Sequence, residues 1–199
     1  MNKMARRSPP VSMQQGDVRF TPLQMENIHT HFRWSNDPEL HRLDSEAPYE
    51  EESFGDFKAR FEQLCTNAVP SQRHFEVHDE GTDALVGVAY VIRIRPHHRR
   101  ALVGVTIGEK EHWREGYGRD AVRLLLRHSF CELDLHRVRA ETFEYNTAWR
   151  DLLESMGFRT EGVAREALYR DGQFWDKGRY ALLRREYAPE GEAGPAPAQ

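Results

Sequence analysis

Apolar residues along this chain change period several times, and each change marks a new element. Phe54, Phe57, Phe61, Leu64 and Cys65 recur at the spacing of one helical face. From His74 the period becomes that of strands, over residues 74–78, 85–95 and 100–107, broken by a turn at Glu80-Gly81-Thr82 and a loop at 96–99. This predicts an antiparallel meander. Helical spacing returns from about Tyr117 to Cys131, with Ala121, Val122, Leu125 and Leu126 on one side. Residues 137–143 read as a strand, and Asn146-Thr147 as the N-cap of a helix through Trp149, Leu152, Leu153 and Met156. Gly157 stands where a left-handed cap is expected, with Phe158 packing back. Asp171-Gly172, between strand-like runs 163–170 and 173–184, predicts a two-residue hairpin. Upstream, residues 18–20 read as a short strand, and Thr21-Pro22 opens a helix to about Trp34, ended by Asn36-Asp37-Pro38. The predicted order is β, α, α, β, β, β, α, β, α and a closing β-hairpin.

At 199 residues the chain suits one domain, expected over residues 17–187, with disordered tails at 1–16 and 188–199. With 39% hydrophobic and 30% charged residues it reads as a soluble globular protein, and no apolar run approaches the roughly 20 residues of a membrane span. The net charge of −4 gives no global reason to bind nucleic acid, and Arg93, Arg95, Arg99 and Arg100 read either as a local phosphate or partner site or, more simply, as a solvated strand end and loop. Cys65 and Cys131 lack a CxxC spacing and read as small buried hydrophobes; with no signal-peptide core, the cytoplasm is the expected compartment. His97-His98 and the His29/His31 pair lack a convincing ligand set among the ten histidines, so no metal is expected.

The chemistry concentrates in Trp113-Arg114-Glu115-Gly116-Tyr117-Gly118-Arg119, which follows a strand-like run and opens a helix. Glycine lets the backbone approach a ligand, and the first amides of a helix have no internal partner, so the pair forms an anion cradle. A P-loop requires Gly-Lys-Ser/Thr, whereas Arg119-Asp120 follow Gly118. A dinucleotide fingerprint fits formally, as Gly116-x-Gly118-x-x-Ala121 with Asp134 as the ribose acid. The preceding antiparallel meander and the closing hairpin disagree with repeated βαβ units.

The chain resembles the GNAT N-acetyltransferases, in the branch of ribosomal-protein N-terminal and spermidine acetyltransferases. The resemblance rests on Val103-Gly104-Val105-Thr106-Ile107-Gly108, on Trp113 to Ala121, on Asn146 followed by Gly157-Phe158, and on Glu161-Gly162 and the Asp171-Gly172 hairpin. It implies a mixed α/β fold, with a bent central sheet, a splayed strand pair and helices on both faces. It also implies an acetyl-CoA site, acetyl-CoA serving as co-substrate without a metal. Amides of Arg114, Glu115, Gly116, Tyr117, Gly118 and Arg119 would hold the pyrophosphate, with the Arg114 and Arg119 guanidinium groups as charge partners. Backbone groups of Val105, Thr106 and Ile107 would pair with the pantetheine arm, and Asn146 would steady the cofactor, unless it is simply an N-cap. Trp113 replaces the family's usual Gln or Arg.

The resemblance implies acetyl transfer to a primary amine by direct attack; the alternative is a non-catalytic acyl-CoA-binding module. Many relatives carry a tyrosine as general acid four residues before the Gly-Phe pair, where this chain has Leu153. Tyr145, Ser155 or a water are substitutes. Glu141, Glu144 and Glu109 are candidate bases, each with a plain reading as a solvent-facing carboxylate. The acidic segment Asp44 to Glu52 either draws a cationic acceptor, such as a polyamine or a protein N-terminus, or favours the dipole of the next helix. Dimers are frequent in such families, so a homodimer is a further expectation.

Overall fold

The computed structural model describes residues 13–66 and 69–188. Its frame is an antiparallel ladder in chain order: β1 (Met13–Gln15), β2 (Val18–Pro22), β3 (Arg73–Asp79), β4 (Leu85–Arg95) and β5 (Arg100–Ile107). Along β4 the buried positions Ala89 and Val91 alternate with partly exposed Val88, Tyr90 and Ile92. Arg93 then adopts a left-handed φ of 52° where the pairing with β5 shifts register, and this bulge returns Ile94 to the buried side.

Next comes a parallel neighbour, β6 (Arg137–Phe143), then β8 (Gln173–Leu183) and, at the edge, β7 (Arg159–Arg170). β5 and β6 pair only from Arg100 to Leu102 against Arg137 to Arg139. Beyond Leu102 the two strands separate. The β7–β8 turn has positive φ at both Asp171 (55°) and Gly172 (79°), the type I′ geometry predicted for that dipeptide.

Among the described residues five α-helices cover the sheet: α1 (Ile28–Ser35), α2 (Pro38–Asp44), α3 (Phe54–Thr66), α4 (Tyr117–Arg127) and α5 (Thr147–Ser155). α4 buries Ala121, Val122, Leu124, Leu125 and Leu126 in the main core, against Phe20, Phe75, Val77, Val103 and Val138. Ile28, Phe57 and Phe61 form a second cluster under α1 and α3. α1 is tied to the opposite side of β3, where Glu76 and His78 alternate with the core-facing Phe75 and Val77. The sheet therefore carries helices on both faces.

Several boundaries differ from expectation. Thr21 and Pro22 belong to β2, with Pro22 opposite Phe75, and the helix starts only at Ile28 after a 3₁₀ turn. Asn36-Asp37-Pro38 ends one helix and starts another. Asp37 caps α2, accepting from the Glu39 and Leu40 amides at 2.9 and 3.0 Å, while Pro38 fills the first turn. The predicted helix to Cys131 stops being α at Arg127 and continues as a π turn over His128–Glu132. That turn rotates Phe130 inward and leaves Cys131 exposed, while Cys65 is half-buried, so neither thiol is a fully buried hydrophobe. β1 carries the folded chain upstream of residue 17, and β7 begins at Arg159. Of the tails expected at 1–16 and 188–199, residues 1–12 and 189–199 lie outside the described residues. Among the described residues no helix is long and apolar enough to cross a membrane.

Candidate active site

Separation of β5 from β6 opens a cleft of about 870 Å³, lined by Val103 to Ile107 on one wall and Thr142, Phe143 and Trp149 on the other. One end meets the loop before α4. There Arg114 (φ 67°) and Gly116 (φ 104°) are both left-handed, which turns successive amides to one side. Among the described residues no backbone acceptor engages the amides of 114–118. Arg119 differs, because its amide donates to the Gly116 carbonyl at 2.9 Å, leaving its exposed guanidinium as the group able to meet an anion. Trp113 Nε1 donates to the Ile107 carbonyl at 2.8 Å and so ties the loop to the end of β5.

The cradle has room for a phosphate-bearing group. A Cβ at Gly116 meets nothing within 4 Å, and one at Gly118 makes only ordinary contacts, 3.6 Å to Leu152 and 3.9 Å to Ile107. The bare backbone at Gly116 faces open space and that at Gly118 is not crowded, as a pyrophosphate cradle requires. Among the described residues there is no group of three or more His, Cys, Asp or Glu side chains arranged to hold a metal.

The other end is closed by α2 and the segment after it. Arg170 from β7 holds this wall: Nη1 donates to the Arg42 carbonyl (2.7 Å) and Tyr145 Oη (2.6 Å), and Nη2 to the Ser45 and Ala47 carbonyls (2.8 and 3.0 Å). Tyr145 donates in turn to the Arg42 carbonyl at 2.7 Å, beneath the Arg42 guanidinium, which lies 4.2 Å from its ring centre. Burial pushes the Tyr145 hydroxyl up, against the opposing pull of Arg170. Arg170→Ala is expected to raise the acceptor KM about tenfold, the weight of one charge-assisted hydrogen bond, while the acetyl-CoA Kd stays unchanged. Steady-state kinetics and calorimetry separate the two.

The structure divides the predicted site residues. Val105, Thr106, Ile107, Arg114, Gly118, Glu141, Tyr145 and Asn146 line the cleft. Glu109 and Glu144 do not. Glu109 is engaged by Arg33 of α1, with one contact at 3.2 Å, and Glu144 accepts from the Asp176 amide at 3.3 Å in the β8 strand. Both sit just beyond strand ends, where Glu109 turns to Arg33 and Glu144 to the Asp176 amide. Glu141 reaches the cleft paired with Lys177 at 2.6 Å. Burial alone would raise its carboxyl, but the Lys177 ammonium, with Arg93 and Arg139, brings it below the usual range.

Asn146 caps α5, accepting from the Trp149 amide at 3.1 Å, and its Nδ2 donates to the Leu43 carbonyl at 3.2 Å. Its side chain therefore locks α5 to α2. Tyr117 turns its hydroxyl away to Asp79. Leu153, at the position of the missing tyrosine, is completely buried in the main core, and Ser155 donates to the Leu152 carbonyl at 2.7 Å.

Sequence reasoning gave no catalytic part to Asp44, the last residue of α2. Its carboxylate opens onto the cleft and accepts from Tyr90 Oη at 3.3 Å. Surrounding protein desolvates it and pushes its pKa up, against the lowering pull of hydrogen bonds from Tyr90 and Thr106 and of nearby His41. Only its place in the acidic 44–52 run signalled it.

Residues 17–159 match the model of the acetyltransferase (GNAT) domain. The chain belongs to the GNAT acetyltransferase family. This GNAT protein is 28% identical over 182 residues to the spermidine N(1)-acetyltransferase of Vibrio cholerae, covering 91% of this chain and 95% of the relative. It is 26% identical to the uncharacterized N-acetyltransferase p20 of Bacillus licheniformis, over 83% of this chain and 92% of that one. Its fold matches the crystal structure of spermidine N-acetyltransferase from Vibrio cholerae in complex with CoA and spermine, with a TM-score of 0.77 at 25% identity, over 85% of this chain and 97% of that one. The GNAT protein is thus an acetyl-CoA-dependent enzyme that acetylates amines. The non-catalytic alternative gives way to this reading.

Proposed function

We propose that this GNAT enzyme acetylates a primary amine of a small polycation of the polyamine type. One observation carries the reading. β5 and β6 stop pairing after Leu102, and the resulting cleft has an anion cradle at one end and an acidic wall at the other. In this reading the amides of 114–118 and the Arg114 and Arg119 guanidinium groups hold the pyrophosphate. The open edge at Val105 to Ile107 accepts the pantetheine arm as a strand would be accepted. When bound, acetyl-CoA supplies the activated acyl group. Holding donor and amine together in one cleft contributes roughly 7 to 11 kcal/mol of barrier lowering.

The acidic lining is formed by Glu39, Asp44, Glu46 and Glu141; Lys177 bridges Glu46 and Glu141, Lys110 pairs with Glu39, and Arg93 also lines the cleft. This wall favours a flexible polycation over a singly charged peptide terminus. A thiol-release assay with acetyl-CoA tests it against spermidine, spermine, a short peptide with a free N-terminus and an aminoglycoside. Polyamines are expected to show a kcat/KM at least about tenfold above the peptide. That preference should shrink with added salt, because screening reaches about 10 Å at 0.1 M. Preference for the peptide, or no dependence on salt, overturns the polyamine reading.

A further inference from the structure

Acetylation of an alkylamine at neutral pH starts from an ammonium ion, which has no lone pair to attack with. A base is needed, and the three glutamates singled out in the sequence are poorly placed for it. Two lie outside the cleft, and Glu141 is held by Lys177. Asp44 differs in each respect. It faces the cleft, among the described residues no lysine or arginine forms an ion pair with it, and its partners are the neutral hydroxyls of Tyr90 and Thr106.

Its surroundings are built for that position. Tyr90 lies flat against Gly104, so closely that a Cβ on Gly104 would stand 2.2 Å from the tyrosine Cζ. Glycine in β5 thus lets the Tyr90 hydroxyl reach Asp44 across the cleft floor. Thr106 belongs to the same β5 segment that meets the cofactor arm in the proposed function, so the carboxylate stands beside the donor path. Arg170 fixes the carbonyls on either side of it, at Arg42, Ser45 and Ala47.

We propose that Asp44 is the general base that takes a proton from the acceptor ammonium. The freed nitrogen lone pair forms the C–N bond to the thioester carbonyl carbon, and the C–S bond breaks. The sulfur leaves as a thiolate and takes the second proton lost by nitrogen, giving the thiol. Asp44 then returns its proton to solvent, so one amide, one thiol and one proton result from each ammonium ion and thioester. A carboxylate that opens onto the cleft and is held by hydroxyls, with no lysine or arginine paired to it among the described residues, is free to take a proton from the ammonium.

The proposal rests on acetyl transfer to an amine and not on which amine is preferred. The test uses the full chain with acetyl-CoA and two acceptors, spermidine and benzylamine. Turnover of benzylamine but not spermidine would sink the polyamine reading and leave Asp44 to be judged on benzylamine. Asp44→Asn is expected to lower kcat/KM by about 100-fold or more at neutral pH, the usual weight of a positioned base, with an unchanged acetyl-CoA Kd. Its rate should climb steadily with pH as free amine accumulates, and the acid limb of the wild-type profile should vanish. Asp44→Glu should recover part of the rate. Other titrating or charged groups facing this position are His41 on α2, Glu46 after it, Tyr90 and Arg93 on β4, Glu141 on β6 and Lys177 on β8. Of these, burial lowers the pKa of His41 and Asp44 raises it in part, so its titration moves down in Asp44→Asn; His41→Asn, which should keep the acid limb, separates the two. Asp44→Asn activity within threefold of wild type overturns the proposal. So does a loss confined to acceptor KM with an unaltered pH profile, which marks an anchor and not a base.

Discussion

Gly118→Val is expected to weaken acetyl-CoA binding by at least about 100-fold, roughly 2.7 kcal/mol, while the protein stays folded. Gly118 is the second residue of α4 and lines the cleft. Nothing in the chain itself demands glycine there: the nearest atoms to an added Cβ are 3.6 and 3.9 Å away, and its φ is not positive. A helix gains from losing a glycine, by up to about 1 kcal/mol for alanine. The requirement must then come from what occupies the space in front of the residue. An isopropyl group fills that space and screens the amides of 114–118. Gly116→Ala is the contrasting variant. Its φ of 104° strains any side chain although no atom lies within 4 Å, so stability falls first. Calorimetric titration with acetyl-CoA, beside thermal melts of both variants, reads the difference. An unchanged Kd for Gly118→Val would place the phosphates elsewhere.

How much of this was legible in the sequence depends on whether a feature is local. The meander, the Asp171-Gly172 turn, the Asn146 cap and the glycine loop are set within a few residues by period, turn chemistry or missing Cβ atoms, and all were readable. α2 was missed because one tripeptide, Asn36-Asp37-Pro38, both stops a helix and starts the next, and stop and start signals share residue types. β7 was read short because Arg159 to Gly162 are all exposed on an edge strand and show no alternation. The surroundings of the candidate bases were not legible for another reason. Whether a carboxylate faces the cleft or an arginine depends on partners far away in sequence. Arg33 meets Glu109 and Lys177 meets Glu141 only after folding, and Asp44 reaches Tyr90 across 46 positions. Likewise Leu153 stands where the family resemblance implies a tyrosine, and its complete burial makes it part of the packing of the main core.

The second large effect concerns stability and lies outside the cleft. Glu76 on β3 is fully buried and accepts four hydrogen bonds: Gln24 amide 2.9 Å, Asn27 Nδ2 2.8 Å, His31 Nε2 2.9 Å and His78 Nε2 3.1 Å. Burial alone would raise its carboxyl, but these donors outweigh it and bring the pKa down to about 2. Relative to the ordinary 4.5, that is on the order of 3 kcal/mol of folding stability. Because the folded value is depressed, the contribution is complete above pH 4.5 and is lost as pH falls toward 2. His78 works in the opposite sense: its bond to Glu76 raises its pKa, so its contribution is complete below 6.5 and fades as pH rises through the raised value. Stability from this cluster is therefore greatest between about pH 4.5 and 6.5. Glu76→Gln turns an amide donor toward groups that already donate and removes the charge that holds His78 protonated. It is expected to cost about 3 kcal/mol near neutral pH, a fall of about 6 to 12 °C in Tm for a chain of this size. Denaturant unfolding from pH 3 to 8 should show a shallower acid limb and a flatter alkaline one. Asp79, held near 2 by Thr82 and Tyr117, keeps part of the acid limb in the variant. A variant with wild-type slopes at both ends would show that the carboxylate is not the charge that ties α1 to the sheet.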